Sequence, residues 1–435
     1  MPTDPADFSF SRKSRRTGPG PIDALMAAAV GNPNLISFAA GLVDYDTLPL
    51  EPTRRLLDAA LADDADARRS LQYGTNAGDA RLRELIIDHL ATLEGVPAEA
   101  LPFDAGDVVV TTGSQQALYL LSDALIDPGD IVITAAPCYF VYTGLLESLG
   151  ADVRTVSVND HGFDPDGLER LLGELDADGE LHRVKLVYVQ SYFQNPTGLT
   201  VSAEARPRLV EIVRRASERA GHRILLLEDA AYRELGETGQ SLTSIKSFDS
   251  DNSTVASCYT FSKPFAPGLK TGYAVLPPSL RSAVLRQKSN HDFGSPNLCQ
   301  RLLREAMATG DYQQHVAAVR DGYAHRRRLM LDALDRHLGG MAGVSWTRPT
   351  GGLYVYLTLP PGVSSAPGSA MFDAAAANEI LYVPGSYCHA GGGGGESEVR
   401  LCHATVPLDR IDDGVGRLAK SVRAGLDAAS VAVAA

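Results

Sequence analysis

Lys263 lies in the middle of Tyr259-Thr-Phe-Ser-Lys-Pro-Phe-Ala-Pro-Gly-Leu-Lys-Thr-Gly-Tyr273, flanked by small hydroxyls, with a Pro267-Gly268 turn and a second cation, Lys270, seven residues on. A buried amine in such a setting suits a Schiff base with a carbonyl, while Thr260, Ser262 and Lys270 grip a phosphate. A carbonyl compound that carries a phosphate, pyridoxal phosphate, meets both requirements. A surface loop with two lysines would have the same composition, so the rest of the chain has to decide.

Four further stretches bear on the choice. Thr111-Thr-Gly-Ser-Gln-Gln116 falls at a strand-to-helix junction, where the free N–H groups of Ser114 and Gln115 and the helix dipole make an anion site. Ser191-Tyr-Phe-Gln-Asn-Pro-Thr-Gly198 follows an apolar strand, and Asn195 there is either the donor to a pyridoxal ring oxygen or part of an ordinary Asn-Pro turn. Leu225-Leu-Leu-Glu-Asp-Ala-Ala-Tyr232 places Asp229 just past a strand end, where a carboxylate can keep a pyridine nitrogen protonated or cap a helix. Tyr232, three residues on, is placed to share the ring oxygen with Asn195. In Glu398-Val-Arg-Leu-Cys-His403, Arg400 sits among apolar neighbours and offers a fork for a substrate carboxylate, although a surface arginine is the commoner fate of that residue type.

The elements that must hold these residues follow from periodicity. Strands at 107–111, 131–134, 152–156, 185–190, 223–227, 253–260 and 272–276 alternate with helices at 114–125, 139–149, 165–175 and 203–220. Several strands are continuous Val/Ile/Leu runs, which predicts an α/β fold with a mostly parallel sheet covered on both faces. Before them come a helix-like stretch over 22–30, a strand-like run from Ile36, helices over 51–62 and 79–93, and a loop over 71–78. Beyond Pro277 the chain turns helical over 280–290, 298–309 and 312–338. It then reads as strands at 344–347 and 352–357 and short helices at 370–378 and 412–429, the pattern of a smaller α+β domain. The expected division is an N-terminal arm and small-domain contribution over 1–50, a large cofactor-binding domain over 51–305 and a small domain over 306–435.

With 53 acidic against 40 basic residues in 435, the net charge of −13 argues against a nucleic-acid partner and suits small-molecule chemistry. The five cysteines are scattered and never in C-x-x-C spacing, so neither a disulfide framework nor a metal site is expected, and a reducing cytoplasm fits best. No stretch has the length and apolarity of a membrane span or the form of a signal peptide.

The order Tyr73, Ser114-Gln115, Tyr139, Asn195, Asp229, Tyr232, Lys263, Lys270, Arg400 resembles the class I/II aminotransferases of fold type I over nearly the whole chain. Within them it most resembles the branch of the 2-aminoadipate and kynurenine aminotransferases, through Ile36-Ser-Phe-Ala-Ala-Gly, Leu71-Gln-Tyr-Gly, Gln194-Asn-Pro-Thr-Gly, Phe261-Ser-Lys and Ala266-Pro-Gly-Leu. The resemblance implies a seven-stranded-type central sheet and a homodimer with shared active sites, acting on an L-amino acid and a 2-oxo acid with pyridoxal 5'-phosphate. It implies that Lys263 carries the Schiff base, Asp229 pairs with the ring nitrogen, and Asn195 and Tyr232 hold the ring oxygen. Tyr139 would stack on the ring. Ser114, Gln115, Thr260, Ser262 and Lys270 would bind the phosphate with Tyr73 of the neighbouring subunit, and Arg400 would clamp the substrate carboxylate in a pocket lined by Gly41.

Several positions depart from that pattern. Lys270 stands where the branch usually has arginine, Thr260 where it has serine, Ser191 where proline is common, and Cys138 beside Tyr139 replaces a small hydroxyl. Cys402-His403 and Tyr387-Cys388-His389 are also unusual, and His389 and His403 are candidate proton shuttles or simply structural. The assigned residues serve steps shared by every enzyme on this scaffold, so elimination, replacement or carbon–carbon bond formation stays open as an alternative to amino transfer. A ligand-sensing regulator with such a domain would need a DNA-binding segment, and no helix-turn-helix is read in residues 1–35.

Overall fold

The structure, a computed structural model, describes residues 8–18, 20, 34–237 and 242–434. The helix expected over 22–30 lies outside them. After β1 (Ile36–Ser37), the apolar runs form β2 (Val108–Thr111), β3 (Ile131–Ala136), β4 (Asp152–Asn159), β5 (Gly162–Phe163), β6 (Val184–Gln190), β7 (Leu225–Asp229), β8 (Val255–Thr260) and β9 (Gly272–Val275). These last eight make one sheet in the order β2-β9-β8-β7-β6-β3-β4-β5. The pairs from β8 through β7, β6 and β3 to β4 are parallel; β9 runs antiparallel to both β2 and β8, and the two-residue β5 folds back on β4.

Alternation along each strand sends its side chains to opposite faces, and each face has its own helical cover. Ile131, Ile133, Val187 and Leu226 pack on one side against Leu168, Leu172, Leu209 and Val213 of the helices Pro165–Ala177 and Ala205–Ala220. Val132, Tyr188, Leu225 and Leu227 pack on the other against Ala117, Leu121, Tyr142 and Leu146 of the helices Gly113–Leu125 and Phe140–Leu149. Asp164 fixes the start of Pro165–Ala177, its carboxylate accepting from the N–H of Asp166 with proline at the first helical position.

In the second half, the helices Asn297–Thr309 and Asp311–Leu338 lead to β10 (Ser345–Trp346) and β11 (Tyr354–Thr358). The helix Ala370–Ala377, β12 (Ile380–Leu381), β13 (Val383–Pro384), β14 (Glu398–Cys402) and the helix Ile411–Ala434 complete the chain. The antiparallel sheet β10-β11-β14-β13 packs Val355, Leu357, Val399 and Leu401 against Met330, Leu334, Leu418 and Val422. β1 joins this body by pairing in parallel with β12. The last helix, Ile411–Ala434, runs longer than the 412–429 expected, and its apolar face is covered as far as Leu426 and Ala429.

Candidate active site

Most of the site grows from the C-terminal ends of parallel strands, the edge at which such sheets leave a crevice. Asp229 ends β7, Thr260 ends β8 three residues before Lys263, and the loop carrying Asn195 follows β6. β14 brings Arg400 from the second sheet, and the segment after β1 brings Ala39 and Gly41.

Lys263 Nζ donates to the Gly41 carbonyl at 2.8 Å. Burial pushes this amine below the ordinary lysine value, and the charges of Arg400 and Lys270 act in the same direction. Asp229 is buried, with Oδ2 accepting from the Tyr188 hydroxyl at 2.7 Å and Gln190 Nε2 at 3.1 Å, and Oδ1 from the Ala231 N–H at 3.1 Å. Burial raises its carboxyl above the usual range and these hydrogen bonds pull it back. It forms no ion pair among the described residues.

Arg400 is 1% exposed and points one nitrogen at Asn195 Oδ1 (3.1 Å) and another at the Ala39 carbonyl (2.6 Å). Its guanidinium lies over the rings of Tyr354 and Phe140, 4.7 and 5.3 Å from their centroids. The buried Nε has no partner and the charge no counter-ion among the described residues. Because Asn195 turns its oxygen to Arg400, its amide nitrogen is free to face the crevice. The hydroxyls of Tyr232 and Tyr354 meet at 3.2 Å, and Tyr354 packs so tightly on Gly41 that a Cβ there would lie 2.6 Å from its hydroxyl. Tyr139 precedes the helix Phe140–Leu149 and feels Tyr354, Asp229 and Arg400, with burial holding its phenol well above the ordinary value.

The helix Gly113–Leu125 starts with Thr112 making no side-chain cap, so the first-turn N–H groups at Ser114 and Gln115 are not taken by a capping oxygen. Thr112 N–H donates to Gln116 Oε1 at 2.8 Å, which fixes the turn ahead of them. β9 passes so close that a Cβ on Gly272 would stand 2.6 Å from Ser114 N and from the Tyr259 carbonyl, so only glycine fits. Thr260 Oγ1 accepts from Ser262 N–H at 3.1 Å. Lys270 follows the Pro267–Leu269 turn in a left-handed conformation, φ +47°, exposed and without an ion pair among the described residues.

Described contacts, several through Tyr354, therefore connect Lys263, Gly41, Tyr232, Asn195 and Arg400, while Tyr139 is tied to Arg400 and Asp229 through their charges. They do not reach Tyr73, which is 77% exposed and whose ring makes a T-shaped contact with Phe293, 5.7 Å between centroids. Of the two histidines, His403 is completely buried with both ring nitrogens unpartnered among the described residues, and burial pushes it down to about 3, so it stays neutral near pH 7 and is no proton shuttle there. His389 bonds Glu398 at 2.7 Å, and Gly394 and Gly395 close over its ring, leaving no room for Cβ atoms. Tyr354, Tyr188, Gln190 and Phe140 are site residues that sequence reasoning missed; an aromatic just after the Gly351-Gly352 turn, opening β11, is the one available signal.

The family model for aminotransferase class I and II matches residues 33–418. The chain belongs to this family. It is 30% identical to aromatic-amino-acid aminotransferase 1 of Thermococcus litoralis over 97% of this chain and 96% of that one. Among solved structures it is similar to the multiple substrate aminotransferase of Thermococcus profundus (TM-score 0.86, 30% identity, 96% and 98% of the two chains). It is also similar to the alpha-aminoadipate aminotransferase of Thermus thermophilus complexed with N-(5'-phosphopyridoxyl)-L-leucine (TM-score 0.81, 31% identity, 96% and 98%). The protein is a pyridoxal-phosphate-dependent aminotransferase of fold type I, as the motif order implied. The cofactor fits what the site offers: a buried amine, a buried carboxylate in no ion pair among the described residues, and a helix start against which only glycine packs.

Proposed function

We propose that this aminotransferase moves the amino group of an L-amino acid to a 2-oxo acid, with Lys263 as the attachment and proton-transfer residue. Asp229 would keep the proton on the ring nitrogen, Asn195 and Tyr232 would hold the ring oxygen, and Tyr139 would cover the ring. Ser114, Gln115, Thr260, Ser262 and Lys270 would bind the phosphate. The bound ring supplies a sink for the electron pair left when the substrate Cα loses its proton. Lys263 takes that proton and returns it, a task helped by the lowered basicity that burial imposes. Arg400 holds the substrate α-carboxylate, and Ala39, Asn195 and the two rings hold Arg400. The buried, uncompensated guanidinium of Arg400 beside the Lys263 amine is the observation that carries the reading.

The same reading takes the enzyme to be a cytoplasmic homodimer, Tyr73 completing the neighbour's phosphate site. Its exposure and its lack of contact with its own subunit's site support this. The division at about residues 50 and 305 belongs to the proposal as well. Among the described residues no helix is long and apolar enough to cross a membrane. The test is titration of the cofactor-loaded protein with a panel of L-amino acids, following loss of the visible band together with formation of the matching oxo acid. Ammonia and an unsaturated or rearranged product in place of a stoichiometric oxo acid would refute amino transfer.

A further inference from the structure

We propose that Tyr188 and Gln190 are positioning residues for Asp229, holding its carboxylate ionised and aimed with one acceptor direction left for the cofactor ring nitrogen; this rests on the role given to Asp229 above. β6 and β7 pair with Gln190 opposite Asp229 and Tyr188 opposite Leu227. Alternate residues of a strand share a face, so both donors reach across to Asp229 from the same side of β6. They converge on Oδ2, while the Ala231 N–H takes Oδ1.

The neighbouring residue is an internal comparison. Glu228, on the opposite face and equally buried, accepts four hydrogen bonds: from Ser191 Oγ (2.7 Å), Ile245 N (3.0 Å), Ser257 Oγ (2.6 Å) and Lys246 N (3.2 Å). A carboxylate has room for about four, so Glu228 is saturated, as a structural carboxylate should be. Among the described residues Asp229 has three and stops one short. Gln190 is also aimed at a cost: with Nε2 on Asp229, its buried Oε1 has no partner among the described residues. An amide serving only the core would not be expected to leave that oxygen bare.

Tyr188 is itself fixed. Its ring lies 4.1 Å from that of Tyr142 at 32°, and the Tyr142 hydroxyl meets Ser122 Oγ at 2.9 Å. Ser122 is on the helix whose first turn carries Ser114 and Gln115, and Tyr142 on the helix that follows Tyr139. One packed network thus ties the carboxylate to the helices that carry the phosphate-cup and ring-covering residues.

The experiment is a double-mutant cycle of Tyr188→Phe with Asp229→Asn, reading cofactor dissociation from the protein by fluorescence, and kcat and KM for one amino donor. Loss of a hydrogen bond to a buried charge predicts that Tyr188→Phe weakens cofactor binding and lowers kcat by about tenfold to a hundredfold, with KM nearly unchanged. In the Asp229→Asn background the same change should have no further effect. Gln190→Met should act in the same direction and supplies the answer if Tyr188→Phe does not fold. Equal losses in both backgrounds would mean that Tyr188 merely supports the fold and would overturn the proposal, as would wild-type affinity and kcat in both Tyr188→Phe and Gln190→Met. Unchanged affinity and kcat in Asp229→Asn alone would remove the role of Asp229, and the proposal with it.

Discussion

Replacing Arg400 by lysine separates recognition of the substrate carboxylate from everything else the residue does. The guanidinium spends one nitrogen on Asn195 and one on Ala39, and is held flat by Tyr354 and Phe140. A lysine keeps the charge but cannot grip both partners and present a two-pronged face at once. Losing one charge-assisted hydrogen bond to the carboxylate costs about 1.5–3 kcal/mol, which is roughly a ten- to 150-fold fall in kcat/KM. The weaker cation–π contact adds up to about 1 kcal/mol more. The assay is single-turnover conversion of the bound cofactor, run with an L-amino acid and with the corresponding amine that lacks the carboxylate. The amine should react slowly and equally with both proteins, since nothing on it meets Arg400. If the lysine variant loses as much on the amine as on the amino acid, Arg400 is organising the cofactor or the fold, and the carboxylate clamp is refuted.

Lys263→Ala should leave the protein folded and able to take up cofactor without a borohydride-reducible bond; a reducible adduct in that variant would locate the attachment elsewhere. Lys270→Arg should keep both cofactor and turnover while Lys270→Ala loses cofactor on dialysis; full occupancy with lost turnover in the arginine variant would place the lysine amine in proton transfer instead. Subunits carrying Tyr73→Phe, once shown to be strongly impaired, should recover part of their activity on exchange with Lys263→Ala subunits. Proven exchange without recovery would confine each site to one chain.

The large sheet is legible because most of its strands are buried on both faces and so appear as unbroken apolar runs, as in Val108–Val110 and Leu225–Leu227. The helix Asp64–Leu71 is not, since of DADARRSL only Ser70 is buried and no apolar stripe marks it; Asp63 capping the Asp66 N–H is the one cue. The two-residue strands β5, β12 and β13 are too short to show a period at all. At the site, residues with an evident chemical task can be named from spacing, whereas Tyr188, Gln190 and Tyr354 act through partners 41, 39 and 122 residues away in sequence. Such contacts exist only once strand order and register are set. For His403, which the sequence leaves open between proton shuttle and structural residue, complete burial favours the structural role.

The pairing of β1 with β12 has a bearing on how the enzyme is made. Ile36 and Ser37 find their strand partners at Ile380 and Leu381, Phe38 bonds Leu381 and Cys402 through its backbone, and the next carbonyls hold Arg400 and Lys263. Residues that leave the ribosome early must therefore wait for partners that leave it much later. The central sheet can assemble sooner, during synthesis, because its strands are contiguous in the chain between residues 108 and 275. A nascent chain halted before about residue 380 would then hold the residues proposed here for the phosphate and for attachment of the cofactor but not Arg400, so on that reading competence to act arrives in one step, late in translation.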